Sequence, residues 1–397
     1  MAALVALAVG AFCYVAMETM PVGLLPLISE EFGVSLADAG MLVTGYGLTV
    51  AIVSVPLAYV TRRVPRRLLI SVLLGVFVVA TLLSAVAVDY VMLLAARVVV
   101  ALSQSVFWAV VGPAAASLFP QRVRGRAMST VFGGSALAPM LGVPAGTWLG
   151  QQAGWRWTFV ALAGFGLLAL GLVAVLMPTT PVGAAHAATG TAPSVPRYWI
   201  LVATTALSIT GLFTAFTYTA PFLTEVSGFP AAAIGPLLLL RGLVNFGGIA
   251  VAGAVVDRSE RGTMVGSLLV LVVSLVGLYL FSGWQPAVAV MLALSGFALG
   301  ALTPALQNRV LEVAPGSSDL ASAGNSAAFN VGIAGGALLG GALLSGPGIA
   351  DTALVGGLVA AAALLLALVE PLIARDVHRQ QATEGPRRYA TSPHAPR

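Results

Sequence analysis

Twelve runs of about 20 mostly apolar residues, parted by short stretches of charge, proline or glycine, constrain this chain more than any other feature. They fall at about 4–28, 39–60, 68–88, 91–118, 127–150, 157–177, 198–224, 232–256, 263–282, 286–309, 320–345 and 350–373. Apolar residues make up 59% of the 397, and charged residues only 8%. An ordinary soluble domain carries about 25% charge, and a soluble core of this length has no room for so much apolar surface. Lipid takes the place of that core, so the expected fold class is an all-α membrane protein with twelve transmembrane helices. The first run follows Met1 directly, without the basic segment of a signal peptide, and reads as the first span.

The basic residues orient the spans. All 19 are arginine. With the N-terminus inside, the inner loops hold Arg62, Arg63, Arg66, Arg67, Arg122, Arg124, Arg126, Arg197, Arg258, Arg261 and Arg309. The tail beyond Arg375 adds more, whereas Arg156 alone falls outside. That bias predicts both termini in the cytoplasm. It also accounts for the high isoelectric point without nucleic acid, because the arginines are not interleaved with stacking aromatics.

The chain contains itself twice. At an offset of 195 residues, Pro26, Gly33, Gly40, Gly47, Arg63 and Arg66 meet Pro221, Gly228, Gly235, Gly242, Arg258 and Arg261. At an offset of 190, Gly134, Ala138, Gly142, Gly146 and Gly150 meet Gly324, Ala328, Gly332, Gly336 and Gly340. The repeat is parallel, which predicts two pseudo-symmetric six-helix bundles facing each other across a pathway. The expected division is 1–177 for the first bundle, 178–197 for a Pro/Ala/Gly-rich cytoplasmic linker, 198–373 for the second bundle and 374–397 for a polar, disordered tail.

Few residues are equipped for chemistry. Glu18 is the one carboxylate deep in a span, where an ionised group must pair or take up a proton. Arg97 and Arg241 are the cations within spans. Arg241 occupies the repeat position of Tyr46. It either faces a cavity and favours an anionic or polyhydroxylated substrate, or pairs with Glu225. Tyr46, Gln104, Trp108, Tyr218, Asn245 and Asn330 are candidate cavity residues, since rings with a few polar groups suit an amphipathic ligand. Gly142 and Gly146 belong to a small-residue stripe that lets helices approach closely, and Pro144 lies within it. No P-loop, metal cluster or nucleophile elbow is present, so the chain does not read as an enzyme and implies no cofactor or metal.

Glu18-Thr-Met-Pro-Val-Gly-Leu-Leu-Pro26, Gly33-Val-Ser and Ala39-Gly-Met-Leu-Val-Thr-Gly-Tyr46 resemble segments of the drug:proton antiporters of the major facilitator superfamily. The nearest flavour is the branch exporting chloramphenicol-type drugs, arabinose-like sugars or nucleosides. Arg97-Val-Val-Val-Ala-Leu-Ser-Gln104 is similar to that family's fourth-helix motif, whose arginine is implicated in proton transfer; Ser105 replaces its glycine. Gly142-Val-Pro144-Ala-Gly146, with Trp155-Arg156 following, resembles the exporter motif, with Val143 in place of a glycine. Gly253-Ala-Val-Val-Asp257-Arg258-Ser-Glu-Arg261 resembles the gating loop; its first-half copy carries Arg62 where the family has Asp, with Arg66 following. The resemblance implies a monomeric proton-coupled exporter of small molecules in a bacterial inner membrane. Glu18 and Arg97 would couple protons, and the proton gradient would supply the energy. A same-fold importer and a non-transporting sensor are the rival readings.

Overall fold

The computed structural model describes residues 2–61, 63–117, 124–178, 192–255, 259–315, 318–346 and 348–383, and every regular element in them is helical. The first half holds α1 (Ala2–Thr19), α2 (Pro21–Phe32), α3 (Leu36–Thr61), α4 (Arg66–Ala85), α5 (Tyr90–Ser117), α6 (Arg124–Leu137), α7 (Val143–Ala153) and α8 (Trp155–Leu176). The second holds α9 (Val195–Phe216), the single turn α10 (Thr219–Pro221), α11 (Ile234–Val255), α12 (Glu260–Leu280), α13 (Gln285–Glu312), α14 (Ser318–Leu344) and α15 (Asp351–Thr383).

Eleven helices among the described residues are long and apolar enough to cross a membrane. The remaining run, the fifth, is present as α6, a π-helical turn over Ala138–Gly142, and α7 in unbroken succession. Pro139 and Pro144 explain the interruption, because neither has an N–H to donate and a proline ring crowds the carbonyl four residues back. The turn widens, and Val143 N–H bonds the carbonyl of Ala138, five residues away. Proline also divides the first span. α1 ends at Thr19 and α2 begins at Pro21.

Glycine and polar caps set the short turns. Gly33 ends α2 with φ 61°, and its repeat partner Gly228 has φ 68°. Both are left-handed conformations that glycine adopts at little cost. Ser35 accepts from Asp38 N–H at 3.0 Å at the start of α3, and Ser259 accepts from Gly262 N–H at 3.1 Å at the start of α12.

Each half builds its own apolar core. One runs from Leu4 to Met177; the other gathers residues from Tyr198 to Ala367, joined by Val22, Val43 and Val143 of the first half. The two glycine stripes do the same work in each. Gly142 and Gly146 lie against Phe12 and Met20 of the first span, while Gly336 and Gly340 lie against Thr210 and Thr214 of α9. With a Cβ at Gly336, the carbonyl of Thr210 would stand 2.5 Å away, so α14 approaches α9 backbone to backbone.

The halves meet where α3 packs on α14 and α11 packs on α7 and the π turn, with α2 touching α10. Two repeat partners make close approaches there. A Cβ at Gly47 would stand 3.1 Å from the carbonyl of Asn330, and one at Gly242 2.5 Å from Cα of Met140.

Two boundaries differ from the sequence reading. The last helix does not stop near 373 but continues to Thr383, into the stretch expected to be disordered. Ile-Ala-Arg-Asp-Val-His-Arg-Gln-Gln-Ala contains no helix breaker, and Gly385-Pro386 come only afterwards. The second bundle begins at Val195, with Pro196 in its first turn. Ala192 and Ser194 donate their N–H groups to the carbonyls of Glu312 and Val313 at 2.9 and 3.0 Å, so the linker's end already belongs to the second half. Most of the expected linker (179–191) and the remainder of the tail (384–397) lie outside the described residues.

Candidate functional site

Glu18 lies one residue before the end of α1, beside the break, and is partly exposed next to the buried Met17. Its Oε2 accepts from Gln104 Nε2 at 3.0 Å, and Gln104 Oε1 accepts from the Tyr46 hydroxyl at 2.6 Å. Donors from α5 and, through Gln104, α3 are therefore aligned on the carboxylate of α1. Gln104 and Tyr46 are both buried, so the row is shielded on its protein side.

Arg97 belongs to the same cluster but does not pair with the carboxylate. Its guanidinium stands 5.1 Å from the centre of the Tyr46 ring. Nε donates to the carbonyl of Leu42 at 3.1 Å, Nη1 to that of Met17 at 3.0 Å and Nη2 to that of Glu18 at 3.4 Å. The Met17 carbonyl needs such a donor, because its helical partner four residues on is Pro21. Arg97 is fully buried, and its planar fork serves three carbonyls on two helices at once.

The second-half counterpart is built differently. Arg241, at the repeat position of Tyr46, is 3% exposed. Its guanidinium lies 3.8 Å from the centre of the Phe216 ring, and Nε donates to Ser295 Oγ at 3.2 Å. Among the described residues no carboxylate lies within ion-pair distance, so the alternative of a pair with Glu225 does not occur. Asn245, one turn on, donates to the carbonyl of Gly296 at 3.1 Å and pins α11 to α13.

The other candidates spread out. Trp108 is half-buried, set edge-on to Phe107 at 5.8 Å. Asn330 donates to the carbonyl of Ser326 at 3.0 Å, beside the α3 contact at Gly47. Tyr218 stands apart. It is wholly buried, its hydroxyl donates to the carbonyl of Ala337 at 2.9 Å, and it packs with Leu25, Ala39 and Gly40 at the end where loop 33–35 lies. It helps to close that end of the junction between halves.

Among the gating residues, Arg62, Asp257 and Arg258 lie outside the described residues. Arg66 opens α4, and Arg261 donates to the carbonyl of Leu368 in α15 at 3.4 Å. Arg67 makes the matching bond in the first half, to the carbonyl of Ala174 in α8. Each half thus has an arginine at the start of its third span bonding the last turns of its sixth. Gly142, Pro144 and Gly146 lie between the first span and α11.

One cluster was not expected from the sequence. Glu370 is completely buried in α15, and its Oε1 accepts from Arg197 Nε at 2.6 Å and Arg309 Nη2 at 2.9 Å. Both arginines had the look of inner-loop residues, yet they lie inside α9 and α13. Pairing across 173 and 61 residues leaves no local signal in a sequence.

Two parallel six-helix halves, with buried polar groups turned towards their junction, define a multi-pass membrane transporter. The chain belongs to the Major Facilitator Superfamily, whose family model matches residues 7–315 and 237–394. It is 35% identical over 366 residues to the inner membrane transport protein YdhP of Escherichia coli O157:H7, covering 91% of this chain and 94% of that one. It is 32% identical over 371 residues to a probable sugar efflux transporter of Mannheimia succiniciproducens, covering 91% of each. The fold matches the crystal structure of a D-xylose–proton symporter with a TM-score of 0.73 at 14% identity, over 93% of this chain and 96% of that one.

Proposed function

We propose that this protein is a proton-coupled exporter of small molecules in a bacterial inner membrane, working by alternating access with both termini in the cytoplasm. The observation that carries the reading is Glu18: a partly exposed carboxylate at the break of the first span, hydrogen-bonded to a neutral amide rather than locked in an ion pair. Because Arg97 is held by backbone carbonyls, it supplies positive potential without closing the site. A carboxyl so placed can bind and release a proton as access alternates, and in doing so compete with cargo. The resemblance of Gly142-Val-Pro144-Ala-Gly146 to the exporter motif supports the outward direction, and the arginine bias supports the topology.

For cargo, the sequence resemblance favours amphipathic drugs of the phenicol type. The relatives described as sugar efflux transporters favour a second reading, a hydroxylated cargo. Everted membrane vesicles acidified by respiration and loaded with a pH-quenched dye test the coupling. Dequenching on addition of chloramphenicol, L-arabinose or uridine supports proton-linked export. Flux of any of these without proton movement would replace it with a facilitator.

A further inference from the structure

A small apolar cluster lies apart from the cores of the two halves and is built from both. Leu25 and Ala39, with Val34 and Leu36 against them, come from the first half; Tyr218, with Leu344 against it, comes from the second. Tyr218 fills a notch left by small residues. A Cβ at Gly40 would overlap its hydroxyl and stand 2.8 Å from Cζ, and one at Gly341 would stand 2.8 Å from the hydroxyl and 3.6 Å from Cα of Ala37. The hydroxyl itself donates to the Ala337 carbonyl of its own half, so what the ring offers α3 is packing. On the other flank of the same end, Gln151 of α7 donates to the carbonyl of Ala231 at 2.8 Å, and a Cβ at Gly235 would lie 3.6 Å from the Pro144 carbonyl. The ring is carried at a break in the seventh span. α9 ends at Phe216 and α10 begins at Thr219, and Pro221 leaves the Thr217 carbonyl without its helical donor. At the 195-residue offset the first half has Gly23, where a Cβ would overlap Thr147 Oγ1 of that same half. The large side chain is therefore supplied from one side only.

We infer that Tyr218 is the outer gate of this carrier: seated in the Gly40 notch, it seals the pathway from the outside, and it leaves the notch when the outer ends of the halves part. The inference rests on the carrier reading and its topology, and adds to them the residue that closes the outer side. The bonding makes the seal separable. Because the hydroxyl keeps its Ala337 partner, parting the halves here gives up van der Waals contact without stranding a buried donor.

The test is cysteine accessibility, which needs no transport. Thr44, 4% exposed and one turn along α3 from Gly40 on the same face, is the reporter. Full-length protein carrying Thr44→Cys is treated with a membrane-impermeant maleimide in right-side-out and in everted vesicles, and the parent with its buried Cys13 alone gives the background. Labelling from outside should be slow. Adding Gly40→Val, which cannot accept the ring, should raise it about tenfold, the order of population shift that overpacking the closed state gives. Tyr218→Ala should raise it likewise, and serves if Gly40→Val does not fold by size exclusion. Gly75→Val, where nothing lies within 4 Å of the new Cβ, should leave it unchanged. In the two gate variants the rise should come from the outer face alone. No rise in a folded gate variant, an equal rise from both faces, or the same rise in Gly75→Val would overturn the gate. A rise from the cytoplasmic face alone would overturn the outer assignment together with the topology. Absence of proton-linked flux with the expected labelling sinks only the exporter reading.

Discussion

Arg97 donates from Nη1 to the carbonyl of Met17 at 3.0 Å, the carbonyl that Pro21 leaves without its helical donor. One bond thereby ties the fourth span to the break in the first, next to Glu18. The arginine's role follows from this geometry. It holds the break open in a fixed shape and places positive charge near the carboxylate without pairing with it.

Arg97→Lys should therefore fail although it keeps the charge. A single ammonium cannot reach three carbonyls on two helices as the guanidinium fork does. An unmet buried carbonyl costs about 1–3 kcal/mol. Thermal unfolding of the purified variant should show a clear fall in melting temperature together with lost efflux. An unchanged melting temperature would mean that the carbonyl bonds carry no weight.

The junction between halves gives a second prediction. Gly242→Ala would place a methyl group 2.5 Å from Met140 Cα and 2.6 Å from the Pro139 carbonyl, both backbone atoms that cannot swing away. Overpacking of this kind costs about 1–3 kcal/mol. Gly171→Ala, where nothing lies within 4 Å, should be silent. Melting temperatures of the two variants, measured side by side, should separate them.

Much of this junction was legible in the sequence. The pairs Gly33/Gly228 and Gly47/Gly242 emerged from the 195-residue offset alone, and they are equivalent in backbone conformation or in packing because one fold was laid down twice. Pro144, singled out within the small-residue stripe, lies at the start of α7 directly after the π-helical turn of the fifth span. What the sequence hid was set by distance along the chain. Arg97 finds its carbonyls 55 to 80 residues away. The one local hint was a proline four residues after Met17. Helix overrun past 373 was hidden for another reason, since polarity marks the edge of a membrane span but does not end a helix.

Glu370 supplies a third prediction. Glu370→Gln removes the negative charge that Arg197 and Arg309 share; Arg309 keeps its ion pair with Glu312, and Arg197 loses its carboxylate partner in a largely buried place. Breaking a buried pair from one side costs about 3–5 kcal/mol. Yield of folded protein by fluorescence-detected size exclusion should drop sharply. Because the cluster ties the first turn of α9 to α13 and α15, limited proteolysis between the halves should speed up.

Glu18→Gln tests the central claim most directly. The variant keeps the shape of the carboxyl and its place beside Gln104 but cannot carry a proton. Growth inhibition is measured in a bacterial host lacking its own major exporters, across phenicols, sugar analogues, nucleoside analogues and organic acids, at matched expression. Wild type should confer resistance to at least one compound, and Glu18→Gln should lose it. Resistance that persists undiminished in Glu18→Gln would contradict proton coupling through this residue.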